Sequence, residues 1–249
     1  MSVSLAISSF YITYVFLLTT TAITLIEALR SPIPQIRHIM NLETCISIVA
    51  SYFYGLFIEE INKAQNLYNV KDDNKDNNNI IDNITNKDSA IIKPLSVIPI
   101  EKINNMRYID WSITTPFMLL VLSMVLGYEN KVIVKFRPFV LTMVLNFAML
   151  AFGYSGEIGL LNKNIAGFMG FIFFFLTYGT IWKLFMTGSK ITIQSKFIFW
   201  IFLGTWSLYG VFYYTNDAIK LIGYNILDLI AKAFVGIFFW LYLTKSVVF

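Results

Sequence analysis

Asp228 and Lys232 stand four residues apart in an otherwise apolar run, NILDLIAKAFVGIFFW. At that spacing two helical side chains share one face, a turn apart. Two chemistries suit the pair: a simple intrahelical ion pair, or a buried lysine whose amine is kept reactive or is consumed in a Schiff base with an aldehyde cofactor. A second charged set reads Arg107-Tyr-Ile-Asp110-Trp111-Ser-Ile-Thr114-Thr115-Pro116, with Arg107, Asp110 and Thr114 at i, i+3 and i+7. Ionisable groups within an apolar span cost about 2.5 to 3.5 kcal/mol each at a helix centre, so each needs a partner or a task. This face is expected to look into a bundle. Pro116 removes one backbone hydrogen bond and bends the helix, and nearby Thr hydroxyls can satisfy the freed carbonyl. A kinked helix with a polar face suits a cavity wall.

The elements that carry these groups follow from the composition. Of 249 residues, 57% are hydrophobic and only 14% charged, which argues against a soluble globular enzyme. Seven apolar segments are legible, at residues 5–29, 36–60, 104–128, 134–155, 164–186, 196–215 and 219–243. Each is long enough for a membrane helix of roughly 20 residues. The expectation is an all-α membrane protein, a seven-transmembrane helix bundle forming one domain over residues 1–249. Between the second and third segments, residues 62–103 are rich in Asn, Asp and Lys and read as a long loop. Within it Ile91 to Ile100 is β-prone, and Asn83-Ile84-Thr85 is a formal glycosylation sequon of little weight in an Asn-rich tract.

The net charge of +4 comes from cations dispersed singly, with no patch for nucleic acid. Arg30, Arg37, Lys131, Lys135, Arg137, Lys183, Lys190, Lys196 and Lys245 fall on one side of such a bundle, against Lys163 and Lys220 in the short connections of the other. The positive-inside rule then places the N-terminus outside, the C-terminus in the cytoplasm and the 62–103 loop outside. The first apolar run has no basic residue before Arg30 and reads as a retained span. The single Cys45 and single His38 supply no metal cluster, so no metal is expected.

RYxDWxxTTP in the third segment, WSLY in the sixth (Trp206, Tyr209) and DLIAK in the seventh resemble the retinal-binding motifs of microbial rhodopsins. The resemblance covers all seven spans, and this combination in this order is highly specific. It implies that Lys232 carries all-trans retinal as a protonated Schiff base, with Asp110 as primary counterion and proton acceptor, Asp228 as second counterion and Arg107 as the cation below them. Thr114 is expected to hydrogen-bond Asp110. Trp111, Met118, Trp206, Tyr209 and Tyr213 are expected to sandwich the polyene, with Thr115 in the same motif and Tyr54, Asn146, Met149 and Gly153 at further pocket positions. Gly210 stands where pumps of the family usually have proline. No register for pocket residues emerges in the fifth segment.

Family membership does not fix output. Outward proton pumps of the family carry a carboxylate seven residues after the first Thr of TTP, where this chain has Val121. Its absence weakens a fast pump. In the second segment Glu43, Ser47, Ala50 and Tyr54 share a face, with Glu59 and Glu60 at its outer end, and Asn225 adds a polar group in the seventh. Close packing and headgroup exposure account for the stripe as readily as an ion path does. NLETCISIVASYFY together with Val121 resembles the group 1 rhodopsins of large algal viruses, whose members include light-gated cation channels. The leading expectation is therefore a non-enzymatic retinal photoreceptor acting as a light-gated channel for monovalent cations, with Glu43, Glu59, Ser47 and Asn225 on its path. The alternatives are an outward proton pump with slow reprotonation, a sensory rhodopsin, and a small transporter using the Asp228/Lys232 pair. The expected setting is a multi-pass protein of a cell membrane, or of a host membrane if viral. The resemblance also carries the expectation of a homo-oligomer.

Overall fold

A computed structural model describes residues 3–76, 98–188 and 191–244. Seven helices are long and apolar enough to cross a membrane. They are α1 (Val3–Arg30), α2 (Pro34–Asp76), α3 (Ile100–Asn130), α4 (Phe136–Glu157), α5 (Lys163–Phe185), α6 (Ile193–Tyr213) and α7 (Asp217–Leu243). Among the described residues there is no strand. Helices are what apolar sequence must form in lipid, because every backbone donor and acceptor is then satisfied within its own segment. The protein is thus an integral, multi-pass membrane protein whose exposed apolar side chains, such as Phe136, Phe168 and Ile193, face lipid.

Consecutive helices pack side by side and α7 closes the ring against α1, while α3 also reaches across to α5 and α6. That makes α3 the interior helix, and Arg107, Asp110, Thr114 and Leu122 along it are fully buried. At one end, the starts of α3 and α7 meet the end of α4 through Asn104, Lys220 and Glu157. At the other, Asn130 at the end of α3 holds Phe185, Thr192 and Ser195, where α5 passes to α6.

Two departures from the sequence expectations bear on the site. Helix α2 does not end near residue 60 but continues to Asp76, so the first part of the expected 62–103 loop is helical. Lys63 pairs with Glu59 at 2.6 Å and Glu60 at 3.4 Å, and Lys102 at the start of α3 pairs with Glu60 at 2.6 Å. Charge pairs one turn apart let a polar sequence extend an existing helix. The Asn83 sequon, most of the β-prone stretch, Lys190 and Lys245 lie outside the described residues. The second departure is in α7, whose turn Leu229–Phe234 is π-helical and contains Lys232. Thr20 of α1 donates to the Ala233 carbonyl in that turn at 3.1 Å.

Candidate functional site

Four charged side chains, Arg107, Asp110, Asp228 and Lys232, meet at the centre of the bundle, each no more than 1% exposed. Two positive and two negative groups balance, which is the condition under which buried charge is tolerated. Lys232 Nζ lies 2.5 Å from Asp110 Oδ2 and 3.5 Å from Asp228 Oδ1. The nearer partner comes from α3, so an intrahelical pair alone does not describe this lysine.

The two carboxylates are held differently. Asp228 Oδ1 accepts from Tyr209 OH at 2.8 Å and Trp111 Nε1 at 3.3 Å, and Oδ2 accepts from Tyr54 OH and Arg107 Nη1 at 3.0 Å each. Asp110 Oδ2 receives Lys232, whereas its Oδ1 has no hydrogen-bond partner among the described residues. The expected hydrogen bond from Thr114 to Asp110 is made to the main-chain carbonyl, at 2.9 Å, and not to the carboxylate. Thr115 likewise bonds the Trp111 carbonyl at 2.6 Å. Both hydroxyls reach back one turn, the local geometry open to Thr in a helix, and so neither serves the Ser112 carbonyl that Pro116 leaves free.

Arg107 is fixed by Asn225 Oδ1 at 2.7 Å and lies over the rings of Phe57 and Tyr224 at 5.1 and 5.6 Å. Asn225 is braced in turn by Ser9 Oγ, which its Nδ2 meets at 2.8 Å, and by Thr13, which bonds its carbonyl at 3.1 Å. Tyr54, expected on the cofactor wall, belongs to this polar cluster instead: its hydroxyl joins Asp228, Arg107 and Asn225.

Beside Lys232 a cavity opens between α3, α4, α5, α6 and α7. Trp111, Thr115, Met118, Met149, Gly153, Trp206, Tyr209 and Tyr213 line it. Asn146 stands behind the wall, donating to Thr115 Oγ1 at 2.7 Å. Sequence reasoning missed Tyr108, Leu150 and Tyr224, and the whole contribution of α5, Gly167, Gly170, Phe171 and Phe174. Gly210 was noticed only for its lack of proline. A Cβ on it would collide with the Phe171 ring, so this glycine is what lets α5 reach the cavity. The wall is otherwise apolar and aromatic, with Trp111 edge-on to Tyr209 at 5.3 Å and to Tyr224 at 5.1 Å. One amine among flat apolar surfaces fits a long conjugated aldehyde.

Of the expected ion-path residues, Glu43 and Ser47 are buried on the far side of Lys232 from Arg107, in a band with Thr20, Thr24 and Thr44. Thr44 donates to Thr24 Oγ1 at 2.9 Å, and Ser47 Oγ has no partner among the described residues. Glu43 lies against Gly236, whose missing side chain leaves room for it: a Cβ there would come within 3.2 Å of Glu43 Oε2. Glu59 does not join them. Its side chain is 55% exposed and pairs with Lys63 on the surface, because α2 runs on past it. Val121 is buried beside Leu119, Leu122 and Val125. Among the described residues no group of His, Cys, Asp or Glu is placed to hold a metal ion.

The family model for bacteriorhodopsin-like proteins matches residues 4–246. The crystal structure of the viral rhodopsin OLPVRII superposes with a TM-score of 0.78 at 37% identity, covering 98% of this chain and all of that one. A blue light-absorbing proteorhodopsin from Med12 superposes at 0.68 with 20% identity, covering 97% of this chain and 98% of that one, a likeness of fold. In sequence, the green-light absorbing proteorhodopsin of Gamma-proteobacterium EBAC31A08 is 26% identical over 148 residues, 54% of this chain. That match spans 59% of the proteorhodopsin's own length.

Proposed function

The chain belongs to the bacteriorhodopsin-like family of microbial rhodopsins, whose members bind retinal through a lysine Schiff base, and from that premise we propose that it is a light-gated cation channel with retinal on Lys232. The proposed cofactor is all-trans retinal, joined to Lys232 Nζ as a protonated Schiff base. When bound, it supplies light absorption and an isomerisation that re-aims the nitrogen.

This chain's residues do the rest. Trp111, Trp206 and Tyr209 line the cavity and would hold the polyene between apolar faces. Asp110 neutralises the charge on the lysine nitrogen, and its unpartnered Oδ1 is a ready place for a proton. Asp228 stays fixed by four donors and holds Arg107 in place. The charge bias of the connections supports an outward-facing start for α1, which puts Arg107 and Asn225 on the outer side of Lys232 and Glu43 on the inner side.

The observation that carries conduction is one run of buried polar side chains between α1, α2 and α7. It passes from Thr13, Asn225 and Tyr54 through Asp228 and Lys232 to Thr20, Thr24, Ser47 and Glu43, with half-buried Ser9 bonded to Asn225 at its outer end. Such a run can replace part of a cation's hydration once helices part. A second reading, an outward proton pump, is favoured by the direct contact of Lys232 with Asp110, with Val121 in place of an α3 donor making reprotonation slow.

Expression with all-trans retinal and voltage clamp under light, with sodium, potassium and proton gradients exchanged in turn, separates the two. The channel reading expects a current that reverses near the cation equilibrium potential. A current that stays outward at all voltages and ignores sodium and potassium overturns it in favour of the pump.

A further inference from the structure

One turn outside the Arg107 cluster lies a second buried charged group that the cofactor site does not use. Lys220 of α7 reaches both carboxylate oxygens of Glu157 on α4, at 3.1 and 2.9 Å, and Asn104 of α3 donates to Glu157 Oε2 at 3.4 Å. The Lys220 and Glu157 side chains are 4% and 10% exposed. Asp217, 3.2 Å from Lys220 on its other side, is 60% exposed. The layer is continuous with the site. Asn104 precedes Arg107 by one turn, and Lys220 precedes Tyr224, over whose ring Arg107 lies.

A buried ion pair is a poor source of net stability compared with apolar packing, yet breaking it by removing one partner is costly. It therefore serves better as a releasable contact than as glue, and Lys220 has a second anion to remain with: it touches exposed Asp217 at 3.2 Å while it holds Glu157. We propose that the Lys220–Glu157 pair, braced by Asn104, is the outer barrier of the ion pathway. Resting on the ion-moving reading above, this means that the pair closes the Arg107–Asp228 cluster from the outer solution in the dark. It opens when Lys220 lets go of Glu157 and stays with Asp217 alone, which frees the Glu157 carboxylate to receive a cation or proton.

The test uses the full chain in lipid nanodiscs. Lys220→Met and Glu157→Gln are compared with wild type by amide hydrogen exchange, read by mass spectrometry over residues 221–228, and by the rate at which hydroxylamine bleaches the retinal-dependent visible band in the dark. Both rates are expected to rise on the order of tenfold in either variant, the mark of easier local opening. The charge exchange Lys220→Glu with Glu157→Lys is expected to restore slow exchange, which a merely loosened fold does not do. Asp217→Asn, which keeps the Lys220–Glu157 contact and removes the anion that Lys220 would stay with on release, is expected to exchange no faster than wild type. Unchanged rates in both single variants, or fast exchange in the charge-exchanged chain, overturn the barrier. Hydrogen exchange needs no retinal, so a wild-type chain that shows no visible band sinks the photoreceptor reading while the exchange data still decide this one.

Discussion

Lys232 and Asp110 meet across the bundle, Nζ to Oδ2 at 2.5 Å, although Asp228 is the carboxylate one turn away on the same helix. The interhelical contact ties the reactive nitrogen of α7 to the interior helix α3. A change in charge at either atom is then felt by two helices at once.

Lys232→Ala removes the only lysine that lines the described cavity. Reconstitution with all-trans retinal is expected to give no retinal-dependent visible band, recorded by absorption spectroscopy. A band of wild-type intensity would mean that another residue carries the cofactor.

The unequal hydrogen bonding of the carboxylates predicts unequal costs. Asp228→Leu leaves Tyr209, Trp111, Tyr54 and the Arg107 guanidinium without their acceptor, a loss of about 3 to 5 kcal/mol for a broken buried pair. Asp110→Leu takes from Lys232 its nearer carboxylate but leaves Asp228 at 3.5 Å, and is expected to lower the melting temperature in detergent by less. Equal losses would contradict the asymmetry.

Glu43→Gln and Glu59→Gln should part company. Glu43 is 2% exposed on the polar run and its neutralisation is expected to change light-evoked current several-fold, whereas Glu59, paired with Lys63 on the surface, is expected to leave current within error. The measurement is current amplitude and reversal potential at matched expression.

Gly210→Ala places a methyl group where the Phe171 ring sits. Displacing that ring is expected to cost about 1 to 3 kcal/mol and to shift the visible band, since Phe171 lines the cavity. Thermal melting and the absorption spectrum, taken together, check it.

The helices and the charged centre were readable from sequence because Arg107, Asp110, Asp228 and Lys232 interrupt long apolar runs, and a charge in such a run has few explanations. Spacing alone pairs Lys232 with Asp228; only the resemblance put Asp110 first, since that preference depends on how α3 and α7 sit against each other. The α5 wall was hidden for a different reason. Gly167, Gly170, Phe171 and Phe174 are ordinary residues of a lipid-spanning helix, and only Gly210 opposite them gave a sign. Glu59 was misplaced because the continuation of α2 to Asp76 rests on surface pairs with Lys63 and Lys102. Tyr54 was singled out in sequence, but its bonds to Asp228, Arg107 and Asn225 depend on how α2, α3 and α7 pack.

The π-helical turn at Leu229–Phe234 makes α7 two rods joined end to end. One surplus residue in a helix of 3.6 residues per turn offsets the two halves by about 100° of rotation. The outer rod is anchored through Asp228 and Asn225, and the inner rod, from Val235 onward, carries Gly236 beside Glu43. With Lys232 in the joint, torque applied there can swivel the inner rod about its own axis while the outer rod keeps its grip on α3.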